Sequence, residues 1–191
     1  MVIGILALQG CIDPHAKHLQ SLGVESRFVR LPSDLEGIQG LILPGGESTT
    51  MIRIAQESGL WNLLPAISKK IPFWGICAGS ILMARAVENP KQESLGVMDI
   101  AVRRNAYGRQ LESFTTTLEV PELSTREKAE AVFIRAPKFL KWGSNVQVRS
   151  KINEEAVFLD DGKHMVTAFH PELTENSWCH RLFVQRAISS T

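Results

Sequence analysis

Three short runs, apolar throughout, each stop at a glycine turn and hand over to a helix-start pattern. They restrict this chain more than any other feature. VIGILAL at 2–8 stops at Gln9-Gly10, GLILPGG at 40–46 ends in two glycines, and IPFWGIC at 71–77 runs into Ala78-Gly79. A strand apolar at every position must be covered on both faces, which is the condition of a parallel sheet in an α/β fold. The stretches between them read as helices. Asp13-Pro14 is a helix start, with Asp as cap, and HAKHLQSL then stops at Gly23. STTMIRIAQESG is a helix capped by Ser or Thr and closed by Gly59. A short helix falls around 60–68, and AGSILMARAV at 78–87 forms a helix directly after the third run. VESRFVRL at 24–31 is a further strand, and NSWCHRLFVQRAISS at 176–190 has the apolar spacing of a C-terminal helix.

The middle of the chain changes period. LGVMDIAVRR, RQLESFTTTLEV, AVFIRAPKFLKWG, NVQVRSKI and EEAVFLDDGKHMVTAFH alternate in twos between turn signals, and DDGK at 160–163 reads as a hairpin turn. These segments are expected to be antiparallel strands added to the sheet. The sequence therefore predicts one domain over residues 1–191: α/β, three layers, a mixed but mainly parallel sheet with helices on both faces. A chain of 191 residues is long enough to bury a full core of that kind.

Composition excludes several function classes. The net charge of +1 gives no one-signed field for nucleic acid or an anionic membrane surface. Cys11, Cys77 and Cys179 are odd in number and far apart, which is no disulfide framework and fits a reducing compartment. The run 2–8 is too short to span a bilayer and has no basic segment ahead of it, so the expected location is the cytoplasm. Cys11, His15 and His18 match no zinc spacing, and the two histidines, on one helix face, are expected to meet solvent or a partner. Cys179 is expected in the core.

Three motifs carry chemistry. Gly75-Ile76-Cys77-Ala78-Gly79 lies between a buried strand and a helix, the pattern of a nucleophile elbow with Cys in place of Ser. Glycines flank the nucleophile because a sharp strand-to-helix turn brings backbone too close for a Cβ. The helix start favours the thiolate, which is the reactive form. A buried cysteine between structural glycines is the plainer alternative. Phe169-His170-Pro171-Glu172 closes the strand HMVTAF. Residues two apart in an extended segment share a side, so Glu172 can orient His170. Leu43-Pro44-Gly45-Gly46-Glu47-Ser48 takes a buried strand through glycines into a helix. Free N–H groups there suit an oxyanion or a carboxylate, and no Gly-Lys-Ser/Thr follows to make a Walker loop.

The order LPGGEST, GICAG, FHPEL resembles the class I glutamine amidotransferase family. The opening ILALQG, RNAYGRQ at 104–110 with Ser113-Phe114 after it, and FIRAP at 133–137 narrow the resemblance to the glutaminase subunits of pyridoxal 5′-phosphate synthases, over nearly the whole chain. The resemblance implies Cys77, His170 and Glu172 as a catalytic triad. It implies Gly46, Glu47, Ser48, Arg104, Ile134 and Arg135 as the glutamine pocket, and the N–H groups of Gly46 and Ala78 as the oxyanion hole. An arginine in the pocket suits the α-carboxylate of glutamine. Pro14 and Thr115 depart from the family pattern and bear on packing or a partner surface. The implied partner is a barrel-shaped synthase subunit that takes up ammonia, and neither metal nor organic cofactor is implied. The rival readings are a glutaminase serving another synthase, such as one in histidine biosynthesis, and a non-catalytic regulatory subunit of the same fold.

Overall fold

The computed structural model describes residues 1–104, 113–121, 123 and 128–189. Five parallel strands build its centre: β1 (Val2–Leu6), β2 (Glu25–Val29), β3 (Gly40–Leu43), β4 (Phe73–Ile76) and β12 (Met165–Thr167), in the spatial order β2-β1-β3-β4-β12. Two antiparallel strands, β11 (Glu155–Asp160) and β10 (Gln147–Ile152), extend the sheet beyond β12. β3, β4 and β12 are buried at every position, as their unbroken apolar runs require.

Helices cover both faces, and neighbouring residues of β4 prove it. Trp74 points at α1 (Asp13–Ser21) and α5 (Trp178–Ser189), where its ring meets His15, His180 and Phe183. Gly75, one residue on and so on the other face, lies against Gly79 and Met83 of α4 (Ala78–Met83). α2 (Ser48–Glu57) packs beside α4, and the short α3 (Leu64–Ser68) precedes β4. One apolar cluster runs through the sheet and both helical layers, from Ile3 to Ala187.

Several local expectations change. The helix after the elbow ends at Met83, and residues 84–88 form β5 (Ala84–Glu88). Tertiary pairing overrides the helical spacing there: β5 pairs in parallel with β6 (Met98–Arg103), while the returning loop sends Leu95 N–H to Leu82 O and Gly96 N–H to Ala84 O. The middle strands do not all join the main sheet. β5, β6 and β9 (Lys138–Trp142) form one small sheet, and β7 (Phe114–Leu118) and β8 (Ala129–Phe133) form another. Among the described residues only β10 and β11 extend the main sheet antiparallel, and β12 lies parallel to β4. The hairpin at 160–163 is present, with Asp161 Oδ1 accepting from the N–H groups of Lys163 and His164.

Two caps also differ. Ile12, not Asp13, holds the N-cap position of α1, and no side chain caps it. At α2 the cap is Glu47 rather than Ser or Thr. Its carboxylate accepts from Thr49 N at 3.2 Å and Thr50 N at 2.7 Å. No helix among the described residues is long and apolar enough to cross a membrane.

Candidate active site

The carboxyl ends of four parallel strands converge on one cavity of about 290 Å³. β1 delivers Gln9, β3 delivers Gly46, Glu47 and Ser48, β4 delivers Cys77 with Ala78 and Ile81 of α4, and β12 delivers His170. Arg104, Ile134, Arg135 and Pro137 close the rim from the smaller sheets.

Cys77 sits in a backbone conformation that side chains rarely adopt, φ 48° and ψ −103°. The surroundings hold it there. Its N–H donates to Thr167 O at 2.8 Å, and its carbonyl accepts from Ser80 Oγ at 2.6 Å and Ser80 N at 3.1 Å. Both flanking glycines are needed. A Cβ on Gly75 would come within 2.7 Å of the Gly79 carbonyl, and one on Gly79 would collide with the Leu43 carbonyl oxygen. Ala78, first residue of α4, has no carbonyl within its own helix to receive its N–H, and it lines the cavity beside the thiol.

His170 is anchored through its backbone, whose N–H donates to Val132 O at 2.7 Å. Its Nδ1 lies 2.7 Å from Glu172 Oε1, which leaves Nε2 for Cys77. His170 and Glu172 meet through a tight 3-10 turn, Pro171–Leu173, and not through the extended backbone expected from the sequence. The Glu172 side chain is fully buried. Burial alone pushes the imidazole of His170 toward its neutral form. Hydrogen bonds to Cys77 and Glu172 outweigh that and raise its pKa to about 10. Burial likewise opposes the Glu172 charge, but the His170 hydrogen bond prevails and holds the carboxyl below its usual range. The Cε1 edge of the imidazole also packs against Gly45, where a Cβ would collide with Cε1 and stand 2.9 Å from Nδ1.

The glycine loop is clamped by the end of β1. Cys11 N–H donates to Gly45 O at 3.1 Å, Gln9 Oε1 accepts from Glu47 N at 2.7 Å, and a Cβ on Gly46 would sit 2.5 Å from that same Gln9 oxygen. Gln9, Ile81 and Pro137 are lining residues that the motif reading missed. For Gln9 a signal was present, a lone amide at the carboxyl end of a buried strand. Ile81 and Pro137 read as packing residues in any sequence.

Arg104, 12% exposed, reaches Glu47 Oε1 at 3.3 Å, so a carboxylate already engages this guanidinium. The Glu47 carboxyl is held down to about 2: burial opposes its charge, but hydrogen bonds from Thr49 and Thr50 outweigh it. Ser48 is buried and donates to Gln92 Oε1. Arg135 stands exposed at the rim with φ 43°. Residues 105–110 of RNAYGRQ, Arg109 included, lie outside the described residues.

His15 and His18 are not solvent-facing, contrary to expectation. Both are buried behind Glu172, against α5. Cys179 is fully buried, as expected. No group of three or more His, Cys, Asp or Glu side chains among the described residues is placed to hold a metal ion.

The pattern of the SNO glutamine amidotransferase family matches residues 5–189. The chain is 46% identical over 186 residues to the pyridoxal 5′-phosphate synthase subunit PdxT of Thermotoga petrophila, covering 97% of this chain and 98% of that one. It is 44% identical over 190 residues to the same-named subunit of Deinococcus radiodurans, covering 96% of each. A crystal structure of a glutamine amidotransferase superposes with a TM-score of 0.91 at 41% identity, covering 98% of this chain and 99% of that one. A glutamine amidotransferase from Thermotoga maritima shares the fold, with a TM-score of 0.61 at 16% identity over 99% of this chain and 80% of the other.

Proposed function

Because the chain belongs to the SNO glutamine amidotransferase family, we propose that it hydrolyses L-glutamine at Cys77 and passes the ammonia to the barrel subunit of a pyridoxal 5′-phosphate synthase. One observation carries the chemistry: a strained elbow cysteine shares a cavity with a histidine whose Nδ1 is held by a buried carboxylate, leaving its other nitrogen for the sulfur. The names of the relatives support the choice of synthase.

The Cys77 thiolate attacks the side-chain amide carbon of glutamine. Negative charge moves to the carbonyl oxygen, where the N–H groups of Gly46 and Ala78 receive it. Collapse of this intermediate breaks the C–N bond, and His170, positively charged beside the sulfur, protonates the departing ammonia. The product is a thioester on Cys77. His170, now neutral, takes a proton from water, the hydroxide adds to the thioester, and glutamate leaves as the thiolate returns. Glu172 keeps the Nδ1 proton in place through the cycle and stabilises the imidazolium. Water is the one co-reactant. Arg104 and Arg135 supply positive charge at the rim for the α-carboxylate of glutamine, Arg104 exchanging its Glu47 partner for the substrate. Glu47 holds the loop and helix beneath Gly46 and Ser48 and faces the α-amino group.

The test is rapid quenching of the enzyme with labelled glutamine. Label bound through a thioester to Cys77, and absent from Cys77→Ala, is the expected result. Glutamine turnover with no label on Cys77 overturns the mechanism.

A further inference from the structure

A chain of buried rings continues behind the triad, and the proposed reaction makes no use of it. Glu172 spends Oε1 on His170, while its Oε2, also buried, has no hydrogen-bond partner among the described residues. His15 Nε2, equally buried and equally without a partner, stands 3.9 Å from that oxygen. The other nitrogen of His15 lies 2.9 Å from His180 Nε2, and His180 stacks on His18 with centroids 4.3 Å apart. His18 in turn reaches Ser177 Oγ and the Glu172 backbone carbonyl. Trp74 meets His15 and His180 edge-on and fixes both rings.

Proton placement in this chain follows from the carboxylate. Glu172, ionised, only accepts. A lone pair on His15 Nε2 facing a buried carboxylate oxygen would leave two acceptors opposed in a dry site, which is costly. His15 therefore carries its proton on Nε2, and its Nδ1 becomes the acceptor. His180 must then donate from Nε2, leaving its own Nδ1 bare, which agrees with the lack of a partner there. Both rings must be neutral for this to hold. Burial, opposed only in part by Glu172, pushes His15 down to about 4, and burial pushes His180 well below its ordinary value. Two thiols also bear on Glu172. Burial, then the Glu172 charge and a side-chain hydrogen bond to it, raise Cys11 to about 11, and burial with the Glu172 charge raises Cys179 well above its ordinary value, so both stay protonated.

We propose that His15, held by His180, is a positioning residue of the triad: its Nε2–H is aimed at the Glu172 oxygen that His170 leaves free and keeps the carboxylate in the one orientation that bonds Nδ1. At 3.9 Å the contact is a dipole facing a charge, not a formed hydrogen bond, and it closes by a small turn of the carboxylate. The inference rests on the glutaminase reading for its effect on rate, but its geometry can be tested without substrate.

The experiment uses the full chain with histidine ring nitrogens labelled for NMR, and glutamine hydrolysis measured in parallel. His15 is expected as the Nε2–H tautomer, and the His170 Nδ1 proton as a far-downfield resonance. In His15→Leu, which fills the space without a donor, that resonance should move upfield or vanish. Its kcat should fall about tenfold, with KM for glutamine nearly unchanged, as for a lost hydrogen bond to a charged group. His15→Gln, which returns an N–H at similar reach, should recover most of both signals. His180→Phe, which removes the nitrogen that holds His15 and keeps a ring against His18 and Trp74, covers the case in which the leucine variant fails to fold, and should produce a smaller loss of the same kind. A His15 protonated on Nδ1 in the wild type overturns the proposal. So does a folded His15→Leu or His180→Phe with an unchanged His170 resonance and unchanged kcat. A wild-type chain that hydrolyses no glutamine even with the synthase subunit added would defeat the proposed function instead, and the tautomer and the His170 resonance would still decide the role of His15.

Discussion

At the scale of single residues the site is a set of positions where one atom more or less decides the outcome. Cys77→Ser and Cys77→Ala are expected to abolish glutamine hydrolysis and keep the fold, because the elbow is held by backbone bonds to Thr167 and Ser80 and not by the sulfur. A glutamate-release assay checks this, and Cys179→Ala, in the core and off the cavity lining, should stay near the wild-type rate. His170→Asn is expected to fall nearly as far as the cysteine variants, since nucleophile and base act as a unit. Glu172→Gln should be milder, retaining an acceptor for Nδ1 while losing the charge that stabilises imidazolium. A Glu172→Gln enzyme slower than His170→Asn would contradict these roles. Gly45→Ala is less obvious from the sequence. The new methyl group would occupy the space of the imidazole, 2.9 Å from Nδ1, so the ring must swing away from Glu172. A loss of kcat of at least about a hundredfold is expected, in line with small misplacements of a catalytic group, and kinetics with glutamine will show it.

At the scale of elements, the parallel strands do one job, which is to end together. Four of the five, β1, β3, β4 and β12, contribute a residue or loop just past their carboxyl ends, and α2 and α4 turn their N-termini toward the same cavity. The loop after β3 carries two consecutive glycines at the cavity. Its Gly45 carbonyl is tied to Cys11 N–H by one 3.1 Å bond, and in a trans peptide the Gly46 N–H points the opposite way. Glycine tolerates both orientations of such a peptide. We infer that the loop is the element through which a synthase subunit governs the rate, by favouring the orientation that serves the oxyanion. The isolated chain should then hydrolyse glutamine slowly, and kcat should rise as the synthase subunit is titrated in, with Gly46→Ala blunting the rise. A kcat already maximal and flat across the titration would rule this out.

At the scale of the whole molecule, the buried histidines couple folding to pH in opposite directions. His170, raised to about 10 from an ordinary 6.5, contributes stability that is complete below pH 6.5 and is lost as pH rises toward 10. His15, lowered to about 4, is folded in neutral form, so the unfolded chain takes up a proton that the folded one refuses. Stability therefore also falls as pH drops from 6.5 toward 4, and His164 and His180, both lowered by burial, act in the same sense. At pH 5 the His15 contribution is about 2 kcal/mol, at ~1.4 kcal/mol for each pH unit of the shift. Thermal melts should peak near pH 6.5 and be lower by roughly 4–8 °C at pH 5, with a decline again toward pH 9. A Tm that keeps rising from pH 6.5 to pH 9 would contradict the charged state of His170.

The sequence by itself determined the central sheet and the site motifs, because both are local. An unbroken apolar run can only be a strand covered on both faces, and a cysteine between two glycines at a strand–helix junction can only be presented on a sharp turn. These signals need no knowledge of what lies across the molecule, and they singled out Cys77, His170 and the glycine loop at Gly46; the family resemblance, not local pattern, added Ala78, Ile134 and Arg135, and all six line one cavity in the fold. What the tertiary structure decided is wherever distant segments compete with local preference. Residues 84–88 continue a helical pattern, yet pairing with β6 makes them a strand. Alternation along the middle of the chain identifies strands but not their partners, so it could not divide them among three sheets. The caps of α1 and α2 passed to neighbouring residues through turn geometry. His15 and His18 read as surface histidines, since nothing near them in sequence shows that α5 and Glu172 will close over them. Burial is a property of the assembled fold, and it makes His15 and His180 neutral rings standing behind the Glu172 carboxylate.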